Sequence, residues 1–211
     1  MKTVLFGVAT PYAWDIVETL LRLKHEFISL DNLGQADSRF PNLCSKIDAE
    51  KEFVLAQSSA ESRLLAARAA HQMKLQNPIT IIDPTAVIAS TAELSHGVYV
   101  NANATVASNV KIGCFVNINR TASIGHDVEI EGFTAIGPGA LIGSYSKIGC
   151  GTDIGTGAVI LPKIKIGSGA VIGAGSVVVR DVADNQVVIG NPSRFLRERE
   201  ANVSRWECEW H

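Results

Sequence analysis

Every sixth residue from position 82 to position 178 is Ile, Leu or Val, without a slip: Ile82, Ile88, Leu94, Val100, Val106, Ile112, Ile118, Ile124, Ile130, Ile136, Ile142, Ile148, Ile154, Ile160, Ile166, Ile172 and Val178. A period of six fits neither the stripe of a helix nor the plain alternation of a long strand. It fits a coiled parallel sheet in which each unit is one short strand plus one turn. Three units close a triangle, so residues eighteen apart stack. Two residues before each marker stands Ala, Ser, Thr or Val, with Ile164 the one departure. A narrow triangular interior takes one large side chain per face and a small one beside the corner. Gly follows the marker at Gly113, Gly125, Gly137, Gly143, Gly149, Gly155, Gly167 and Gly173. This predicts close backbone packing and passage into a turn with positive φ. The expected fold is mainly β, a parallel β-helix of about five to six coils with all markers buried.

The first 78 residues carry no such repeat. Thr3-Val4-Leu5-Phe6 reads as a strand ending in Gly7, and residues 12–23 have helical spacing through Ile16, Leu20 and Leu23. Phe27-Ile28-Ser29-Leu30 reads as a second strand, followed by a loop rich in Pro, Asn and Ser. Phe53-Val54-Leu55-Ala56 reads as a third strand, and residues 60–73 as a second helix ended by Pro78. Strand, helix, strand, helix predicts a small α/β (Rossmann-like) unit. The expected division is 1–78 for that α/β unit, 79–182 for the β-helix and 183–211 for a C-terminal cap and tail. The α/β unit should cover the first coil. Asn191-Pro192 breaks the repeat where the chain leaves and caps the last one.

Charge and cysteines narrow the choice of function. A formal net charge of −2 provides no basic field for nucleic acid. The apolar start is cut by Thr10-Pro11, too short for a signal peptide, and no segment approaches a membrane span. A cytoplasmic protein is expected. Cys44, Cys114, Cys150 and Cys208 form no CxxC pair. Cys114 and Cys150 lie two coils apart on one column, about 10 Å at the usual strand spacing, beyond disulfide reach.

The repeat contains two histidines, His96 and His126. His126 stands two residues past a marker, outward from a turn or strand edge, with Asp127 next. A turn that brings the two together would orient the imidazole and raise its basicity. His96 begins no constellation, and two histidines thirty residues apart make no metal site. Asn101 and Asn119 share a column and predict a ladder of side-chain amides. Trp206-Glu207-Cys208-Glu209-Trp210-His211 carries two tryptophans whose exposure would be unusual, and it is expected to pack on a neighbouring subunit.

The repeat resembles the hexapeptide-repeat proteins, whose coils wind left-handed. Within them, the stretch from Asn119-Arg120-Thr121 through Ile124-Gly125-His126-Asp127 to Phe133 and Gly137-Pro138-Gly139 resembles the NeuD/PglD group. These acetyltransferases act on sialic acid or on nucleotide-linked amino sugars, and they too carry a small α/β domain ahead of the prism. The resemblance implies His126 as general base, Asp127 as the carboxylate strengthening it, and Asn119 as a polar group near the reacting centre. It implies acetyl-CoA as donor, contacted near Gly143, Thr156 and Ala174, with Arg194 of Gly190-Asn191-Pro192-Ser193-Arg194 reaching a CoA phosphate. No metal is implied.

Two departures stand out. The histidine that family members carry nine residues after the first is Ala135 here. The loop Gly-x-x-Gly-His after the first strand is Gly7-Val8-Ala9-Thr10-Pro11, and the acidic pair after the second strand is Asp31-Asn32. Thr10, Asp31 and Asn32 then mark the acceptor side. The resulting expectation is a homotrimeric acetyltransferase with sites between subunits, binding acetyl-CoA and a small sugar, with no nucleic-acid or membrane partner. N-acetylation of a nucleotide-linked amino sugar leads. O-acetylation of sialic acid or another sugar, and a hexapeptide scaffold without catalysis, stay open.

Overall fold

The computed structural model describes residues 2–8, 11–30, 43–44, 50–200 and 210. Its first part is a five-stranded parallel sheet ordered β3-β2-β1-β4-β5, built from β1 (Thr3–Phe6), β2 (Phe27–Leu30), β3 (Leu43–Cys44), β4 (Glu52–Leu55) and β5 (Asn77–Pro78). Helix α1 (Ala13–Arg22) and helix α2 (Ala60–Gln72) make the crossovers. Two of these strands are not anticipated from the sequence. β3 and β5 are two residues each, too short to carry a hydrophobic pattern. Pro78 does not end the helix. α2 stops at Gln72, and Pro78 lies in β5, paired with Phe53 of β4.

From Ile81 the chain winds into seventeen two-residue strands, each ending on a marker, in a parallel solenoid of about six coils. The first face runs from Val87–Ile88 to Val177–Val178, the second from Glu93–Leu94 to Lys165–Ile166, and the third from Ile81–Ile82 to Val171–Ile172. Partners in the ladder are eighteen residues apart, as Ile124 with Ile142 and Ile130 with Ile148. The markers from Val100 to Val178 are buried in one continuous stack, whereas Ile82, Ile88 and Leu94 are only partly buried. The expectation that every marker is buried fails at this end, because the coil below that would cover them does not exist. Polar residues in the small inner position are satisfied across the coil. Thr134, Ser146 and Thr152 each donate to the carbonyl fifteen residues on, at 2.9, 3.1 and 2.9 Å.

Left-handed backbone occurs at the third residue after the marker, not the first. From Gly97 to Gly175 every such position has φ between 54° and 68°, whether Gly, Asn, Asp, Thr, Lys or an aromatic occupies it. The glycines directly after the markers serve the other expected purpose. A Cβ at Gly143 would overlap the backbone nitrogen of Pro162 in the next coil.

The far end is capped as the sequence suggested. Val182 bridges Ile166, strand Gln186–Ile189 extends the third face, and Arg194–Glu198 returns antiparallel to it. The α/β unit touches the first coil from the side, through Asp83 and Ile81, and does not cap its open end. It lies along the third face, whose outward residues Tyr99, Asn117 and Ala135 are buried beneath it. Phenols and an arginine hold the seam. Tyr12 donates to Asn117 Oδ1 (2.7 Å), Tyr99 donates to the Asp15 carbonyl (3.1 Å), and Arg63 Nη2 donates to the carbonyls of Phe133 and Thr134 (3.2 Å each). Burial lowers Arg63 to about 10, so its guanidinium stays charged at neutral pH. Asp83 of the first coil, fully buried, accepts from Thr19, Thr85 and Arg22. Asp153 accepts from the first backbone N–H of α2 (2.9 Å) and meets Arg199 at 3.1 Å, tying helix, prism and C-terminal strand together.

Aromatic side chains fill the rest of the seam. Phe115 and Phe133 stack at 5.3 Å and meet Phe53 and Trp210, whose indole N–H donates to the Leu75 carbonyl (2.9 Å). Trp210 is buried in its own chain, which corrects the expectation that it packs on a neighbour. A side chain that fills an intramolecular hollow with its N–H satisfied has no surface left to offer. Trp206 and Cys208 lie outside the described residues.

Candidate active site

The active-site candidates fall on two corners of the prism. At the corner between the first and second faces, strand Ser123–Ile124 runs into Gly125 and His126, and Asp127 adopts the left-handed turn conformation (φ 56°). That turn folds the two neighbouring side chains together, and His126 Nδ1 lies 2.7 Å from Asp127 Oδ2. The pairing expected from the sequence is present. It depends on the left-handed residue, since on an extended strand adjacent side chains diverge.

Asp127 is held below the ordinary carboxylate range, chiefly by the bond to His126 and further by Asn109, whose amide donates to its other oxygen at 3.3 Å. An ionised carboxylate only accepts, so the proton in the 2.7 Å bond sits on Nδ1. Nε2 is thereby left with its lone pair facing outward whenever the ring is neutral. The imidazole side chain is 48 % exposed, open to an incoming substrate. Tyr145, one coil on from Asp127, packs its ring edge-to-face against the imidazole, centroids 5.1 Å apart.

Asn109 and Tyr145 were missed from the sequence, although the signal was there. Asn109, Asp127 and Tyr145 are spaced by eighteen and all three have positive φ. The same spacing that predicts Asn101 under Asn119 predicts this column.

Asn119 lies elsewhere, at the corner between the third and first faces, the opposite end of the strand that carries His126. It is buried, and its carbonyl oxygen accepts from Asn101 at 3.1 Å and from the Arg120 N–H at 2.8 Å. The amide ladder is therefore real, but within one chain Asn119 does not approach His126. The donor residues divide the same way. Gly143 is one coil above Gly125 on the His126 corner, while Thr156 and Ala174 are exposed on the Asn119 corner. Beside them, Gly157 and Gly175 face open space, a shelf on which an extended ligand can lie against backbone. Arg194 lines a hollow of about 300 Å³ at the capped end and donates to the Ser193 carbonyl at 3.0 Å. Ala135 is buried on the third face under the α/β unit, not at the His126 corner.

In the α/β unit, the carboxyl ends of β1 and β4 carry Gly7 and Gln57. Gln57 Nε2 donates to the Gly7 carbonyl (2.6 Å), and a Cβ at Gly7 would overlap that amide. In parallel sheets this is the place where ligands enter, at the switch in strand order. Thr10, Asp31 and Asn32 lie outside the described residues. His96 meets Phe115 edge-to-face (5.5 Å) in the seam. Among the described residues no group of three or more His, Cys, Asp or Glu is placed to hold a metal, and no helix is long and apolar enough to cross a membrane.

The fold is the hexapeptide-repeat parallel β-helix behind an α/β unit, and the resemblance to the NeuD/PglD-like group extends over the whole architecture. The family model described as bacterial transferase hexapeptide (six repeats) matches residues 145–180. No curated protein matches the sequence. Among solved structures, the acetyltransferase domain of PglB from Neisseria gonorrhoeae is 27 % identical, covering 92 % of this chain and 99 % of that one with a TM-score of 0.84. A second structure of that domain holds acetyl coenzyme A (26 % identity, 92 % and 98 % covered, TM-score 0.84). PerB from Caulobacter crescentus, in complex with CoA and GDP-perosamine, is 25 % identical over 93 % of this chain and 98 % of that one, TM-score 0.78.

Proposed function

We propose that this protein is an acetyl-CoA-dependent acetyltransferase that N-acetylates a nucleotide-linked amino sugar. The observation that carries the reading is the His126–Asp127 pair, exposed on a prism corner with Nε2 unblocked, in a fold whose solved relatives bind CoA or acetyl-CoA and, in PerB, GDP-perosamine.

His126 Nε2 takes a proton from the acceptor amine as its nitrogen attacks the thioester carbonyl carbon. The C–S bond breaks, and the proton returns from the imidazolium to the departing CoA sulfur. Acetyl passes directly to nitrogen, with no covalent intermediate on the protein. Asp127 stabilises the imidazolium formed on the way. The shelf at Thr156 and Ala174, with Gly143 and Arg194, would hold the donor. Thr10, Asp31 and Asn32 would face the acceptor.

The division into 1–78, 79–182 and 183–211 belongs to the same reading, and so does a homotrimer. The uncovered first face carries Val87 (65 % exposed) and Leu141 (47 %), beside Tyr145 and Leu161 at its edge. The two halves of the site lie at opposite ends of that face. In a closed ring, the Asn119 corner of one copy meets the His126 corner of the next.

The test is His126→Ala, followed by CoA thiol release with a panel of nucleotide-linked amino sugars. Turnover should drop by about 10²–10⁴ while acetyl-CoA affinity stays unchanged. Wild-type turnover in the variant removes His126 from the mechanism, and a wild-type protein that binds no acetyl-CoA by calorimetry is a scaffold.

A further inference from the structure

We infer that Tyr145 is a positioning residue for His126, holding the imidazole in the orientation that leaves Nε2 available. The inference rests on the reading of His126 as base given above.

The contact itself is specific. The two rings meet at 87° with centroids 5.1 Å apart, and the Tyr145 backbone N–H donates to the His126 carbonyl at 3.1 Å, which fixes their register. His126 is thus bounded by Asp127 at Nδ1 and by an aromatic ring on its plane or edge. An imidazole on an exposed turn with a single hydrogen bond swings about χ1 and χ2. Packing against a neighbouring ring removes that freedom, and orientation is where a general base gains its advantage.

The backbone sets how the ring projects from the corner. Tyr145 has φ 62°, a conformation that disfavours a side chain with a Cβ by about 1 kcal/mol or more and suits Gly, Asn or Asp. Among the described residues two other aromatics share it, Phe115 and Phe133 (φ 54° and 60°), and both are fully buried in the domain seam. Packing compensates their strain. Tyr145 is 53 % exposed, and its hydroxyl has no hydrogen-bond partner among the described residues. Its ring contact is the edge-to-face one on His126. The left-handed turn itself is general to the repeat, shared by exposed Thr121 and Lys163, so what distinguishes Tyr145 is its ring contact with His126.

Tyr145→Gly relieves the backbone and deletes the ring, and Tyr145→Phe keeps the ring and deletes the hydroxyl. In Tyr145→Gly the melting temperature and assembly should be unchanged or improved, and the KM for acetyl-CoA unchanged, while kcat falls about tenfold. In the ligand-free protein, long-range ¹H–¹⁵N spectra of His126 should change from one Nδ1–H tautomer to a mixture. Tyr145→Phe should match wild type in every readout. Wild-type kcat with an unchanged tautomer in Tyr145→Gly overturns the inference, and so does a Tyr145→Phe variant as impaired as Tyr145→Gly, which would place the function in the hydroxyl. Should Tyr145→Gly lose its assembly, an unchanged Nδ1–H tautomer in the folded subunit makes Tyr145 an interface residue and equally overturns it. The spectra decide the point even if His126→Ala proves active, so failure of the base reading and failure of this inference remain distinct.

Discussion

Two corners of the prism use one backbone device for opposite ends. Between the second and third faces, left-handed turn residues Phe115 and Phe133 point into the seam and disappear beneath the α/β unit. Between the first and second faces, the equivalent turn residues Asn109, Asp127 and Tyr145 stand open and gather around His126. The repeat supplies the same left-handed position every eighteen residues on each corner. What it holds decides whether the corner docks a domain or carries chemistry. On the proposed reading, Phe115 on one side governs stability and His126 on the other governs turnover.

The sharpest way to break that contrast is Phe115→Ala. The ring is fully buried against Phe53, Phe133, His96 and Trp210, and truncation should cost about 3–5 kcal/mol. Denaturant unfolding should show the loss, while kcat of the protein that remains folded at low temperature should be that of wild type. A drop in kcat as large as the one expected of His126→Ala would mean that the two corners are not separate in function.

A smaller effect tests the covered side by acid. Burial pushes Asp83 upward, but hydrogen bonds from Thr85, Thr19 and Arg22 outweigh it and bring the group down to about 2. A folded value below the unfolded one, about 3.9, means stability that is fully present above pH ~4 and lost as pH falls toward 2. The amount is about 2 kcal/mol. The difference between the urea midpoints of wild type and Asp83→Asn should be constant above pH ~4, the variant lying lower. The two midpoints should converge between pH ~4 and 2. Parallel curves would show that Asp83 does not tie the first coil to α1.

The smallest effect belongs to the open corner. Asp127→Asn keeps the shape and removes the charge, and an amide can present its N–H to Nδ1 and favour the wrong tautomer. It should lower kcat by about tenfold, less than His126→Ala, with no change in melting temperature, because the pair is exposed and solvent screens it. A loss of stability in Asp127→Asn would move this pair from the chemical corner to the structural one.

Much of this was legible in the residues. A strict period of six cannot be read as helix, and stacking at eighteen follows from closing three units. The coil, its markers, the Asn101–Asn119 ladder and the His126–Asp127 pair could therefore be placed from spacing and residue type alone. β3 and β5 could not, since two-residue strands carry no pattern of their own and exist because a neighbouring strand offers hydrogen bonds. The column of Asn109, Asp127 and Tyr145 was legible in the same spacing of eighteen, but what its members do was not. Asn109 and Tyr145 are ordinary turn residues until the coil brings them against Asp127 and His126.

The solenoid is written in the chain itself, because its information is local: one large and one small inward residue per six suffice to specify every strand and turn. How the parts lie against one another was settled in three dimensions. The α/β unit covers the third face and not the open end, because Tyr99, Asn117, Phe115 and Phe133 match Tyr12, Arg63 and Phe53 across a seam between residues far apart in the chain. The folded prism also separated Asn119 from His126, setting them at opposite ends of one face. Spacing along a chain fixes which residues share a corner, but which corner meets another surface depends on shape and burial summed over the whole molecule.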